Sequence, residues 1–407
     1  MSLFVHIDMN NFYASVECRV NPSIADKPVA VAGSPEKRHG VVLAKNEIAK
    51  KLGVKTGDTV SEASAKAPGI VFVPPRFDVY DKVSKRMFGI CNRYSYCVEP
   101  FGPDECWLDC TETVGLFGDG KKIADALRAD IKNELGITAS AGVSFTKLFA
   151  KLGSDMKKPD ATTVITRENF REKVWPLAVG DLCGVGGRTE DKLHKLNIYT
   201  IGDLARADER VLKRLLGKPG ADLGRVARGE EEGEVREAVR TRDMKSVSHG
   251  LTALRDLTTR DDAVTLINYL SELVAVRLKK YRVRARGAYL GVRYTDLTRE
   301  GKQLSLPRPV RASSDVADAA TRLFDEIWNG EPLRSIDVGM FALTPDGAPE
   351  QLSMFDCESG SDCRERLDDA IAAIRIKYGK SAVIRAAQLD EDIYTDKDVG
   401  DFLPFKR

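Results

Sequence analysis

Leu3-Phe4-Val5-His6-Ile7-Asp8-Met9 and Gly102-Pro103-Asp104-Glu105-Cys106-Trp107-Leu108-Asp109 decide the fold of this chain. The first is an apolar run closed by an acid. The second sets two adjacent acids between turn residues and another apolar run, and both read as strands. Between them Val79, Val83, Met87 and Ile90 recur at helical spacing and predict a helix over 79–94. Strand-like runs at 96–101 and 106–110 flank the Gly102-Pro103 turn. After the breaker Gly118-Asp119-Gly120, Ile123, Leu127, Ile131 and Leu135 line one face of a second helix. Residues 138–144 supply a last strand. Strand, helix, strand, strand, helix, strand is the split βαβ plan of a ferredoxin-like α+β domain.

In that plan the third strand lies antiparallel beside the first, so Asp8 neighbours Asp104 and Glu105 at one rim. Asp often caps a turn, but turn chemistry does not explain three acids meeting. Their repulsion is tolerable when cations neutralise it, and all-oxygen ligands suit Mg²⁺. Two such ions can activate an attacking oxygen and stabilise a leaving one, which is the chemistry of phosphoryl and nucleotidyl transfer. The stretch between Asp8 and the first helix is an insertion at this rim, placed to cover a substrate. Small residues and Lys dominate its middle, around Gly40-Val41-Val42-Leu43-Ala44-Lys45-Asn46.

The chain has 407 residues, 43% of them hydrophobic, enough for two to four domains. No apolar stretch is long enough to span a bilayer, and the N-terminus enters a strand without a signal-peptide pattern. Eight cysteines without a CxxC pair, and only four His, argue against a zinc site. They suit reduced thiols, so a cytoplasmic protein without membrane contact is expected. Net charge is +2, yet eleven Lys and Arg between Arg277 and Arg311 face only Asp296 and Glu300. That asymmetry predicts one specialised polyanion-binding region. In Arg282-Val283-Arg284-Ala285-Arg286, strand alternation puts Arg282, Arg284 and Arg286 on one face, where they can follow phosphates; a merely solvated face is the alternative.

Leu182-Cys183-Gly184-Val185-Gly186-Gly187-Arg188-Thr189 and the following 192–196 read as a helix-hairpin-helix. There Gly184 and Gly186 would let backbone N–H groups approach a DNA phosphate. A helix start alone would give the same pattern.

Taken together, IDMNNFYASVE (7–17), AKNEIAKKLGV (44–54), DECWLD (104–109) and GVSFTKLFAKLGSDMKKP (142–159) closely resemble the Y-family of translesion DNA polymerases, the bacterial polymerase IV group in particular. The resemblance runs from the N-terminus to about Phe355. It implies a multidomain α+β right hand: a ferredoxin-like palm (1–10 and 76–165), small fingers (11–75), a helical helix-hairpin-helix thumb (166–235), a linker (236–248), an α/β little finger (249–347) and a tail (348–407). It implies low-fidelity, template-directed synthesis on primer-template DNA from dNTPs, by a monomer without proofreading.

By motif, Asp8, Asp104 and Glu105 resemble the catalytic acids that hold two Mg²⁺, with the Met9 carbonyl as a further ligand. Tyr13 resembles the steric gate beneath the sugar, although a core aromatic would also fit a helix; Phe12 beside it, expected with it among the nucleotide-binding residues, suits the core better. Ala44 would roof the nascent pair, and Lys50 and Lys158 resemble the cations on the triphosphate. For Lys50 a solvated helix face competes. Gln351-Leu352-Ser353-Met354-Phe355 resembles the peptide that binds the bacterial sliding clamp. After it, Leu367, Ile371, Ile374 and Tyr378 predict one amphipathic helix.

Two departures stand out. Polymerase IV members usually carry Tyr at the position of Glu47 and Arg at that of Lys50, so 46–50 looks more like the polymerase V catalytic subunit. Gly102-Pro103 replaces the usual Ser and hydrophobic residue before the acid pair. Two other readings stay open: a nucleotide cyclase built on a two-metal palm, which would not need the thumb, basic domain or clamp peptide, and a non-catalytic clamp-binding scaffold, which would be expected to have lost an acid.

Overall fold

Strand β1 (Phe4–Met9) is buried along nearly its whole length because helices cover both faces of the sheet it centres. The computed structural model in which it is seen describes residues 2–34, 40–230, 235, 244–348, 361–379, 382–384 and 393. After β1, β2 (Val29–Ala32), β3 (Val42–Lys45) and β4 (Val71–Val73) form a separate small sheet of order β3-β2-β4. Its apolar core, Ala30, Val42, Ala49, Val54, Ala63 and Ala67, is made of small side chains. Thr59 and Glu62 close a reciprocal capping box at the start of the helix Val60–Lys66.

The chain then returns to β1. Strands β5 (Cys97–Pro100), β6 (Glu105–Asp109), β7 (Ala139–Ser144) and β8 (Thr162–Ile165) complete a five-stranded sheet of order β5-β6-β1-β7-β8. The first four strands have the expected ferredoxin-like order, and β8 is an added parallel partner of β7. Helices Phe77–Cys91 and Gly120–Leu135 bury Met87, Ile90, Ile123, Leu127 and Ile131 against Val5, Ile7 and Leu108. Asp119 caps the second of these helices by accepting from the Lys122 backbone N–H at 2.9 Å. A third helix, Lys147–Met156, packs against β7 and β1. The contact is so close at Gly142 that a Cβ there would lie 1.8 Å from the Ala150 carbonyl oxygen. Five helices between Phe170 and Ala227 then surround Val174, Leu193, Leu204 and Leu212.

These elements form one compact unit, and the rest of the described chain forms a second. In the second unit β9 (Ser246–Leu257), β10 (Val283–Tyr294), β11 (Arg299–Val310) and β12 (Leu333–Pro345) make an antiparallel sheet of order β11-β10-β12-β9. Helices Arg260–Lys280 and Ser313–Ile327 pack on it over Leu270, Val274, Leu290, Phe324 and Ile336. Strand β9 begins at Ser246, inside the stretch expected as linker. The chain is thus α+β and multidomain, as the sequence predicts.

The tail helix is present at Ser361–Tyr378, but not as an apolar face folded inward. Leu367, Ile374 and Tyr378 are 61%, 40% and 67% exposed. Polar contacts hold the helix instead. Buried Glu365 pairs with Arg284 at 2.7 Å and Arg311 at 2.6 Å, and Asp368 accepts from the Ser313 N–H and hydroxyl, both at 2.7 Å. Helical spacing locates a helix; it does not say which face docks.

Candidate active site

The register of β1 against β6 brings the three acids to one rim. Asp8 lies opposite Glu105 in the antiparallel pair, and the Met9 N–H donates to the Asp104 carbonyl at 2.9 Å. The turn before β6 is closed by the Phe101 and Gly102 N–H groups on the Glu105 carbonyl. Gly102 lies against the acids themselves: a Cβ there would stand 3.0 Å from the Glu105 Cγ and 3.2 Å from an Asp104 oxygen. That contact gives a local reason for glycine before the acid pair.

The three carboxyl groups meet different partners. Lys158 binds Asp8 at 2.8 Å and Asp155 at 2.8 Å. Lys151 binds Glu105, and the His6 Nε2 stands 3.3 Å from the same carboxylate. Behind it, His6 Nδ1 lies 2.9 Å from the Ser154 hydroxyl, which donates to the Lys151 carbonyl at 2.7 Å. Burial alone would raise Glu105, but the close approach of His6 and the hydrogen bond and charge of Lys151 outweigh it and hold the carboxyl down to about 2. Burial raises Asp8 in spite of Lys158. Asp104 is pushed up to about 7, first by burial and then by the charges of Asp8 and Glu105.

Among the described residues no three acids, histidines or cysteines stand together as a ready metal cluster. The acids meet at one rim as expected, yet Asp8 and Glu105 are each engaged by a lysine. Burial and the charges of Asp8 and Glu105 disfavour the ionised form of Asp104, and all three groups offer oxygen. That donor set fits a hard divalent cation, which would take over the neutralising part played by the lysines.

Asp8, Met9, Phe12, Tyr13, Ala44 and Asp104 share the wall of one cavity of about 260 Å³, which also includes Leu43, Lys45, Thr56 and Pro103. Six of the expected metal and nucleotide residues, Asp8, Met9, Phe12, Tyr13, Ala44 and Asp104, therefore come together, Phe12 also packing into the core. Lys158 reaches the site through Asp8. Lys50 is absent from the cavity wall; its ammonium lies 3.6 Å from Glu47, one turn along its own helix. Glu47 in turn accepts from the Asn11 side chain at 2.8 Å.

Sequence reasoning missed the residues that position the acids. Buried Asn10 donates to the Ser140 hydroxyl at 3.0 Å and accepts from the Asp160 N–H at 3.0 Å, tying the end of β1 to the loop that carries Lys158. Arg128 and Lys132 hold Asp160 from the neighbouring helix. Asn10 adjoins the first motif, but only the fold shows what it holds.

Gly184 adopts a left-handed conformation with φ 97°, and Gly186 immediately precedes the helix Gly187–His194. In the second unit Arg284 and Arg286 alternate with buried Ala285 as expected, while Arg282 precedes the strand with φ 53°. Arg284 is spent on Asp346 at 3.0 Å and on Glu365, so the expectation of three arginines turned together toward phosphates needs correction at that residue. Residues 351–355, expected to bind a clamp, lie outside the described residues.

Three family models match the chain: the impB/mucB/samB family at residues 7–155, the IMS family HHH motif at 167–198 and the impB/mucB/samB family C-terminal domain at 244–354. DNA polymerase IV of Acetivibrio thermocellus is 43% identical over 390 residues, covering 96% of this chain and 98% of that protein. DNA polymerase IV 1 of Bacillus subtilis is 34% identical over 392 residues, covering 96% and 94%. A solved Y-family DNA polymerase chimera of Dbh and Dpo4 shares the fold, with a TM-score of 0.75 at 23% identity over 84% of this chain and 99% of that one. The polymerase V-like stretch at 46–50 thus sits in a chain whose relatives over nearly its whole length carry the polymerase IV name. With its family models, full-length relatives and fold in agreement, this chain belongs to the impB/mucB/samB family, the Y-family DNA polymerases.

Proposed function

We propose that this chain is a template-directed, low-fidelity DNA polymerase that carries out translesion synthesis in DNA repair, using two Mg²⁺ ions and no proofreading. The observation that carries the reading is the meeting of Asp8, Asp104 and Glu105 at one rim of the sheet, with Asp8 and Asp104 in the wall of a cavity they share with Tyr13 and Ala44. Its full-length relatives are named DNA polymerase IV.

Asp8, Asp104, Glu105 and the Met9 carbonyl would hold the ions. Bound there, Mg²⁺ supplies a lowered pKa for the primer 3′-hydroxyl and neutralisation of the triphosphate. The chain's own residues do the rest. Tyr13 puts its ring where a ribose 2′-hydroxyl would collide. Ala44 roofs the nascent pair with a methyl group and leaves room for a damaged base. Lys158, released from Asp8, offers a mobile point charge to the triphosphate, with Lys50 as a second.

The ferredoxin-like region (1–10 and 76–165) is the palm, 11–75 the fingers, 166–235 the thumb and 249–347 the little finger. Gly184 and Gly186 present backbone N–H groups to the primer-template, while Arg282 and Arg286 belong to its basic track and Arg284 is engaged by Asp346 and Glu365. Residues 351–355 would bind a bacterial sliding clamp, and the enzyme would act as a cytoplasmic monomer. Among the described residues no helix is long and apolar enough to cross a membrane.

Primer extension on undamaged and abasic templates tests the reading. Asp8→Asn and Glu105→Gln should each lose essentially all nucleotide addition while binding primer-template like the wild type, because each removes a charged ligand and no basic group. Near-normal extension by either variant would overturn the assignment.

A further inference from the structure

Lys45 ends strand β3 with its position fixed by its neighbour. The buried Asn46 side chain accepts from the Ala49 and Val29 N–H groups at 3.0 and 3.1 Å and donates to the Lys27 carbonyl at 2.7 Å. This side chain therefore locks the backbone where Lys45 leaves the strand. The Lys45 ammonium donates to the Thr56 hydroxyl at 3.0 Å, and both residues belong to the wall of the cavity that contains Asp8, Asp104 and Tyr13.

The other lysines about this site have carboxylate partners. Lys158 meets Asp8 and Asp155, Lys151 meets Glu105, Lys147 meets Glu99 and Lys50 meets Glu47. Among the described residues Lys45 pairs with no carboxylate; a neutral hydroxyl holds its head in place without neutralising it. Burial, and then the charge of Lys50, lower its pKa. A cation kept at such a place, with Asp58 and Glu47 offsetting its burial only in part, is stabilised further when an anion arrives, and a Lys head on a long stem suits phosphate oxygens.

We propose that Lys45 is the cation which this wall of the cavity offers to the phosphates of the incoming nucleotide, acting as a substrate-binding residue where the motif resemblance pointed to Lys50. The inference rests on the polymerase reading above and adds a residue to it. Phosphate could reach the cavity from two sources, a nucleotide triphosphate or a phosphodiester of the bound strand, and the test separates them.

Single-nucleotide incorporation by the full chain on a primer-template with Mg²⁺ is measured for wild type, Lys45→Ala, Lys45→Gln, Lys45→Arg and Lys50→Ala. Removing one charge-assisted hydrogen bond should raise KM for dNTP roughly ten-fold in Lys45→Ala, with kcat within about two-fold. Lys45→Gln can keep the bond to Thr56 without the charge, so it should show the same KM defect even if the Ala variant folds poorly. Arginine should restore most of the affinity, Lys50→Ala should have the smaller effect, and primer-template Kd should not move. An unchanged KM in both neutral variants, or a defect confined to primer-template Kd, overturns the inference. Absence of extension by the wild type would instead overturn the polymerase reading.

Discussion

Tyr13 is held by a stack. Its ring lies 4.3 Å from that of Tyr80 at 16°, with Phe77 edge-on at 6.0 Å and Phe12 at 5.3 Å. Tyr80 donates to Glu17 at 2.7 Å, and Glu17, only 2% exposed, is clamped by Arg76. Aromatic packing of this kind fixes where a ring can go. If Tyr13 is the gate proposed above, a ring with so little give should discriminate sharply between sugars. Tyr13→Ala should therefore lower the preference for deoxyribonucleotides over ribonucleotides by on the order of a hundred-fold, since it removes the collision and keeps the acids. Single-nucleotide kinetics with paired dNTP and rNTP check this, and unchanged discrimination would place the gate elsewhere. The position of Tyr13 was legible, because it follows Asp8 in one short motif. The support from Glu17 and Arg76 was not. Glu17 reads as a helix-surface acid until the fold brings Arg76 and Tyr80, 59 and 63 residues away, against it. His6, Ser154 and Lys151 escaped notice for the same reason, since a polar residue in an apolar run says nothing about its distant partner.

Among the elements, the helix Lys147–Met156 is pressed close against its neighbour. It carries Lys147, Lys151 and Ser154, and it approaches β7 where Gly142 has no side chain. Gly142→Ala would drive a methyl group into the Ala150 carbonyl oxygen, which is backbone and cannot rotate away. The variant should lose about 3 kcal/mol of stability, at the upper end of usual overpacking costs, and should also lose activity as Lys151 moves off Glu105. Thermal denaturation beside primer extension measures both; a wild-type melting temperature would show that the helix yields freely. Periodicity made most elements legible, because the helices Phe77–Cys91 and Gly120–Leu135 present a regular apolar face to one sheet. The tail helix shows the limit. Its spacing located an amphipathic helix but not its attachment, which Glu365 and Asp368 supply, and ion pairs between distant segments leave no periodic trace.

At the scale of the whole molecule, the basic character is uneven, and the structure redistributes it further. Arg284 and Arg311 are largely occupied by Asp346 and Glu365. Replacing Arg282, Arg284 and Arg286 together should weaken primer-template binding and flatten its log–log salt dependence. Each phosphate left without its cation takes about 0.9 off the slope, so with Arg284 already engaged the change should not exceed about 1.8. Binding titrations at several salt concentrations decide it; an unchanged slope would make this face merely solvated. Charge counting along the sequence found the cluster but not its neutralisation, because the acids lie about 60 and 80 residues downstream of Arg284. The α+β class and the multidomain plan were legible from motif order, since each motif falls within one element.

The direct pairing of Asp8 with Glu105 has a consequence for how this gene can change length. Side chains on a strand alternate with period two, so one codon gained or lost within β1 or β6 would turn one acid to the opposite side of the sheet. Apolar neighbours would go with it, and the acidic rim and the core would fail together. The turn at Phe101–Asp104 offers no slack either, because Gly102 lies against both acids. These two strands can diverge by substitution, whereas the record of in-frame insertions and deletions in the family should be nearly blank across them.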